Sequence, residues 1–497
     1  MLSKYETHLR VARHYRGVAT AIGELFSEGG DEVVRSLALF DQDRGQIDAA
    51  LAWLHRQADG TKGPDPEIDE LLVDFAVAMR HTGHLRYDMR SQRIPQIEQA
   101  LEAARRVQRK EDVGRLLAYL GNAHRYLGDV QTAIQYYAES LVIAREIGHV
   151  RGEAASLRNL GKCYVLLGDG SRALKCFKQS LAICRRIGHR RGEGKAWGNL
   201  GRLSAALGKM HHAIGFYERC LGIARETGAR AEEGVVLNDL GRVYCDTGEL
   251  RRALSYQEQS LAIARALKDR QLEAWTLGDM GNSYGDLGQW HRAVELHTQR
   301  LRIARAIGDQ QNEGNALGDL GYAFAQLGKA RRAIHLCERS IAIKREIRDK
   351  RGEAYSIHFL GVACAAAGNA QRAIELHRQA LDMLQRYHNR WGQGRVLIGL
   401  GHACVAVAEL HYARDSFQKA LEIARDVGDR LGEARAAWPL GLIYVREGAG
   451  QQAAAYLQIA VDFEQSIGHP DAEQHAAYLE EAQRRIQQEH DEIPHSH

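Results

Sequence analysis

The stretch RGEGKAWGNLG, residues 191–201, places four glycines and a lysine in eleven positions, a composition suited to cradling a phosphate. A phosphate loop needs its glycines at a strand-to-helix turn and a Ser or Thr after the lysine. Here Ala196 follows Lys195, and no strand-like run precedes the stretch. Other chemistry-bearing residues are equally isolated. His211 and His212 are adjacent, so they diverge on a helix instead of converging on one ion. The three histidines of HDEIPHSH belong to a tail expected to be disordered. The eight cysteines form no CxxC pair and fall on apolar stripes, where a reduced cysteine acts as a small core residue. No HExxH, nucleophile elbow or paired zinc-ligand motif occurs. The expectation is a chain with no catalytic residues, no metal site and no cofactor.

A forty-residue period explains the glycines. Gly121, Gly161, Gly201, Gly241, Gly281, Gly321, Gly361, Gly401 and Gly441 recur without a slip, and seven residues on a second glycine recurs from Gly128 to Gly448, with Ala408 the exception. Alanine recurs from Ala133 to Ala453 at the same step. A fixed period of this length marks a solenoid. Each unit reads as two helices. Leu157, Leu160, Tyr164 and Leu167 make one apolar stripe, Gly168-Asp169 breaks the chain, and Ala173, Leu174, Phe177, Leu181 and Cys184 make a second that ends at Ile187-Gly188. Glu153, Glu193 and Glu313 stand in first turns, where the helix dipole favours acids. A mid-helix glycine such as Gly161 costs about 1 kcal/mol relative to alanine. Its recurrence therefore implies close helix approach, with Ala173, twelve residues on, the expected partner. RGEGKAWGNLG is then the start of a leading helix, in register with RGEAASLRNLG and QNEGNALGDLG.

Leu160-Gly161, Tyr164, Ala173 and Phe177, repeated over residues 111–469 in about nine units, resemble the helix-packing signature of the tetratricopeptide repeat (TPR) family. The longer unit is similar to the subclass holding Pins/LGN-type adaptors and many bacterial regulatory proteins. The chain lacks the proline that often ends the second helix, Ile-Gly replacing it. The resemblance implies an all-α, right-handed superhelical solenoid with its leading helices on the concave side. The helices of residues 1–67 resemble the segment joining the ATPase module to the TPR arm in bacterial STAND (NB-ARC-type) regulators. Residues 68–110, with IEQALEAARRV, read as a degenerate repeat, QADGTKGPDPE (57–67) as a linker, and 470–497 as a capping helix and tail.

The formal charge of +4 on 497 residues predicts no general nucleic-acid affinity, and no apolar window approaches a membrane span of ~20 residues. A polar amino terminus points to the cytoplasm. The concave face should then be read from two positions flanking each Leu-Gly pair, three apart and so on one face. The first runs Asn159, Asn199, Asp239, Asp279, Asp319, Phe359, Gly399, Pro439; the second runs Lys162, Arg202, Arg242, Asn282, Tyr322, Val362, His402, Leu442. The stripe passes from amide-and-basic through acidic to apolar at Trp438. Its bland reading is a solvated face whose charges pair along the stack. The sharper reading is a groove for a protein or peptide ligand, with Asn159, Lys162, Asn199, Arg202, Asp239, Arg242, Asp279, Asn282, Asp319 and Tyr322 gripping backbone and charge. The tryptophans are expected to be packing residues, and a small-molecule ligand is disfavoured. Two roles fit: a non-enzymatic interaction scaffold, or a ligand-sensing arm of a STAND-type system controlling a separate ATPase or effector.

Overall fold

Helices account for all the regular structure in the computed structural model, which describes residues 3–28, 31–58, 65–387 and 389–491; most of the 57–67 linker and the end of the tail lie outside these. Two long helices, α1 (Lys4–Glu28) and α2 (Asp31–Ala58), pack together and lead into α3 (Pro66–Ala78), a short α4 (Thr82–Arg86), a π-helical turn (Met89–Arg93) and α5 (Ile94–Arg106). Arg93 is buried in that turn and donates to Ala76 O at 3.1 Å and Met79 O at 3.0 Å, so its guanidinium caps the end of α3.

The repeats follow as helix pairs. They are α6 (Lys110–Tyr126) with α7 (Val130–Glu146), α8 (Val150–Leu166) with α9 (Gly170–Arg186), and α10 (Arg190–Ala206) with α11 (Met210–Glu226). Next come α12 (Arg230–Asp246) with α13 (Leu250–Ala266), α14 (Arg270–Asp286) with α15 (Trp290–Ile307), and α16 (Gln310–Gln326) with α17 (Ala330–Glu346). The last three are α18 (Lys350–Ala366) with α19 (Ala370–Arg386), α20 (Arg390–Ala406) with α21 (Leu410–Val427), and α22 (Arg430–Arg446) with α23 (Gly450–Ile467), before the final α24 (Ala472–Asp491). RGEGKAWGNLG lies within α10, with no strand beside it.

Three repeated devices build each unit. Gly168 turns the chain with a left-handed φ of 74°, and Asp169 then caps α9, its Oδ1 accepting from Arg172 N at 2.8 Å. The mid-helix glycines do admit the facing helix, but their chief neighbour is the side chain sixteen residues on, not the alanine twelve on. A Cβ at Gly121, Gly201 or Gly401 would lie 2.7, 2.7 and 2.6 Å from the rings of Tyr137, Tyr217 and Phe417. The alanine's part is smaller: the Ala253 carbonyl oxygen lies 3.0 Å from a Cβ built at Gly241. Units are tied by an ionic rung. Arg145, Arg185, Arg225, Arg305, Arg345 and Arg425 each donate to the first-turn glutamate eight residues on, at 2.7–2.9 Å. The acids therefore anchor the preceding helix as well as meeting the dipole. A serine rung runs deeper. Ser140, Ser180, Ser260 and Ser340 donate to the carbonyls of Gly114, Ala154, Gly234 and Gly314 at 2.7–2.9 Å.

Leading helices of successive units pack directly on one another, which places them on the short inner radius. The superhelix also touches itself. A Cβ at Gly208 would lie 3.0 Å from Val427 Cα, and one at Gly248 2.5 Å from the Phe463 ring. Gly208 and Gly428 are 220 positions apart, five and a half forty-residue periods, so one turn rests on the next. Leu250, Leu287, Ala434, Phe463 and Ile467 form an apolar cluster across this seam, and Arg435 pairs with Asp286 at 3.0 Å. Arg86 approaches Gly308 in the same manner at the amino-terminal side.

Candidate functional site

The closed turn makes the inner face an axial channel, and the ten residues of the graded stripe lie along it in three groups. At the first, Asn159 and Lys162 are half-buried on α8 and Asn199 is buried on α10. Burial, then the neighbouring cations Arg125, Arg202, Arg158 and Lys195, push the Lys162 ammonium down to about 7. No carboxylate lies within ion-pair distance of Lys162 or Arg158 among the described residues.

The second group is internally paired. Arg202 Nη2 lies 2.8 Å from Asp239 Oδ2, and Arg242 Nη2 lies 3.2 Å from Asp239 Oδ1. Asp239 is only 7% exposed, so these two arginines are its counter-ions before they are anything else. Here the charges pair along the stack around a buried carboxylate. Replacing both arginines by glutamate would place three carboxylates together, so that change is no test of binding alone.

The third group surrounds a cavity of about 270 Å³, walled by α14, α15, α16, α18 and α20. Asp279, Asn282, Asp319 and Tyr322 all line it. Asn238 Nδ2 donates to Asp279 Oδ2 at 2.6 Å, and burial raises the Asp279 carboxyl above the usual carboxylate range despite Arg242. Arg300 donates to Asp319 Oδ2 and to Asn312 Oδ1, both at 2.8 Å. The Tyr322 ring stands between Trp290 (centroids 5.7 Å, interplanar angle 72°) and Phe359 (5.2 Å, 42°). Arg395 stacks on Trp391 at 4.9 Å on the far wall.

Two tryptophans expected to be packing residues, Trp290 and Trp391, therefore line the cavity, whereas Trp197 is buried between Phe216, Arg185 and Arg219. Trp275 is exposed. The expected apolar end of the stripe is closed: His475 of α24 stacks on Trp438 at 3.7 Å, and Tyr478 meets it edge-on. The reading of leading helices alone also missed α15. His297 occupies the position of Phe177 and Tyr217, and Arg300 that of Ser180 and Ser260, so this unit departs from the packing and serine devices where the cavity opens. Among the described residues no group of three or more potential ligands could hold a metal ion, and no helix is long and apolar enough to cross a membrane.

The profile described as tetratricopeptide repeat matches residues 112–186, 152–226, 232–306 and 307–386, together more than half of the chain. Comparison with curated proteins finds no significant match. Solved structures similar to the chain include a Pyrococcus horikoshii signal-transduction ATPase with numerous domains (STAND) that carries a tetratricopeptide repeat sensor. It is 15% identical with a TM-score of 0.47, over 75% of this chain and 56% of that one. A Rap protein complexed with competence and sporulation factor is 12% identical, TM-score 0.47, over 83% and 98%. Aspartyl phosphate phosphatase F from Bacillus subtilis is 12% identical, TM-score 0.45, over 82% and 94%.

Proposed function

We propose, from the premise that this chain belongs to the tetratricopeptide repeat family, that its work as a protein-interaction or regulatory repeat domain is to hold a peptide or protein segment in the axial channel, with no catalysis of its own. The observation that carries this is the cavity on the inner face, where Asp279, Asn282, Asp319 and Tyr322 converge with aromatic rings. A concave site where many polar and charged groups converge beside aromatic rings suits ligand capture, and it sits where the backbone is held by stacked helices. The like-charged Lys162 and Arg158 offer a second point of attachment for acidic side chains of the same segment. Asp239 is held between Arg202 and Arg242, whose remaining N–H groups keep donor capacity on this face.

The test is affinity purification from the native host with the wild-type chain and a Tyr322→Ala/Phe359→Ala variant in parallel. The variant should lose the partner that the wild type retains, with unchanged helical circular dichroism. Retention of the same partner by the variant overturns the reading.

A regulatory arm is a second reading, favoured by the seam. A ligand inside a turn that closes through Asp286–Arg435 and the Phe463 cluster would bias the spacing of successive turns. Small-angle scattering before and after the captured partner is added separates the two: a scaffold leaves the seam distance unchanged, and a sensor alters it.

A further inference from the structure

We infer that the cavity at the centre of the channel captures a guanidinium group, the side chain of an arginine in the bound segment; the inference rests on the channel being a segment-binding groove. Three independent features converge on that chemistry.

The walls come first. Trp290, Tyr322 and Phe359 line the cavity as neighbouring rings, with centroid spacings of 5.7 and 5.2 Å and interplanar angles of 72° and 42°, so that ring faces as well as edges are presented. A flat, weakly hydrated cation stacks on such surfaces, whereas a compact ammonium meets them only as a point charge.

The second feature is the hydrogen-bonding capacity left over. Asp279 has one oxygen engaged by Asn238 and, among the described residues, no ion pair. The buried cation on the same wall, Arg300, is already held by Asp319 and Asn312. His297 is 2% exposed, lines the cavity, and its Nδ1 has no hydrogen-bond partner. Burial pushes that imidazole down to about 4, so the ring is neutral and brings no competing charge. The second Asp279 oxygen is thus an acceptor left over, and His297 Nδ1 joins it when the neutral ring carries its proton on Nε2; a guanidinium is all donors.

The third feature is charge balance. Asp319 is held by Arg300 and Asp286 by Arg435, while Arg395, at the Trp391 wall, faces Asp286 and Asp429; Asp279 is the cavity carboxylate without an ion pair among the described residues. The cations that act on Asp279, Arg242 and Arg300, are themselves held by Asp239 and by Asp319.

The experiment uses the full chain and two small probes, Nα-acetyl-arginine amide and its neutral isostere Nα-acetyl-citrulline amide, titrated by saturation-transfer NMR. The arginine probe should bind at least about tenfold more tightly than the citrulline probe, as expected when the charge itself is recognised. Asp279→Asn, which preserves shape and can keep the Asn238 hydrogen bond, should abolish that preference. Equal binding of the two probes, or a preference that survives Asp279→Asn, overturns the inference without recourse to any other variant. The two levels fail separately. If the partner survives Tyr322→Ala/Phe359→Ala while arginine still outbinds citrulline, the groove reading falls and the guanidinium pocket stands. If the partner is lost but the probes bind alike, the groove stands and the guanidinium pocket falls.

Discussion

Gly208→Ala isolates the contact between successive turns, because the repeat supplies its own control. Gly208 and Gly188 both hold left-handed backbone, at φ of 71° and 64°. An alanine in that region costs roughly 1–2 kcal/mol whatever surrounds it. At Gly188 a new Cβ meets nothing within 4 Å, so Gly188→Ala carries the backbone strain alone. At Gly208 the same atom lies 3.0 Å from Val427 Cα and from the Val427 carbonyl oxygen. Those are backbone atoms of the next turn, and no side-chain rotation relieves them. Overpacking of this kind adds about 1–3 kcal/mol. The seam can bear that load, since burying each of Leu250, Leu287, Phe463 and Ile467 is worth about 1.5–3 kcal/mol at most, and the partly exposed Arg435–Asp286 pair adds less than about 1 kcal/mol. The expected outcome in urea titrations is that Gly208→Ala loses about 1–3 kcal/mol more stability than Gly188→Ala, while scattering profiles stay those of a closed turn. Equal losses in the two variants would refute the seam, and with it the enclosure of the channel.

Gly401→Ala should destabilise by about 1–2 kcal/mol because its Cβ would press within 2.6 Å of the fully buried Phe417 ring; in a Phe417→Ala background the same change should stabilise by about 1 kcal/mol through helix propensity, read as a double-mutant cycle in urea. Ala408, at φ 62° where the other units carry glycine, should gain up to about 1 kcal/mol on replacement by glycine, since relief of left-handed strain exceeds the added unfolded-state entropy. Lys162, pushed down to about 7, binds its proton more weakly folded than unfolded, so its contribution to stability rises with pH from about 7 towards its ordinary value of 10.5; the stability of the wild type minus that of Lys162→Met should therefore increase between pH 6.5 and 9.5, and a flat difference contradicts the cationic crowding around it.

The helix pairs, the turn at Gly168 and the solenoid itself were legible because each is set by spacing within one unit: three to four residues for the stripes, forty for the repeat. Comparing units also made the stripe from Asn159 to Tyr322 visible, and four of its members, Asp279, Asn282, Asp319 and Tyr322, meet at the cavity. Reading only the leading helices hid the rest. His297 and Arg300 sit on a trailing helix, at positions that Phe177 and Ser180 fill with ring packing and the serine rung. A buried guanidinium in place of that serine must recruit Asp319 and Asn312, and doing so opens polar space beside Trp290. That departure is present in the sequence to anyone who aligns the second helices as carefully as the first.

The seam is a different case. Whether Gly208 touches Val427 depends on a small rotation per unit accumulated over five and a half units, and no single unit encodes the sum. Period reports that units stack; it carries nothing about the angle at which they do so. The same accumulated angle decides whether Asp286 faces solvent or Arg435, and whether Arg242 and Asp279 line an open groove or a closed channel. The Phe463 ring, which packs against Gly248 across the seam, is likewise remote in the chain from the residues that line the cavity. If the proposed segment enters between turns, Phe463→Ala should speed its capture without touching a residue of the cavity, and an unchanged association rate would exclude that route.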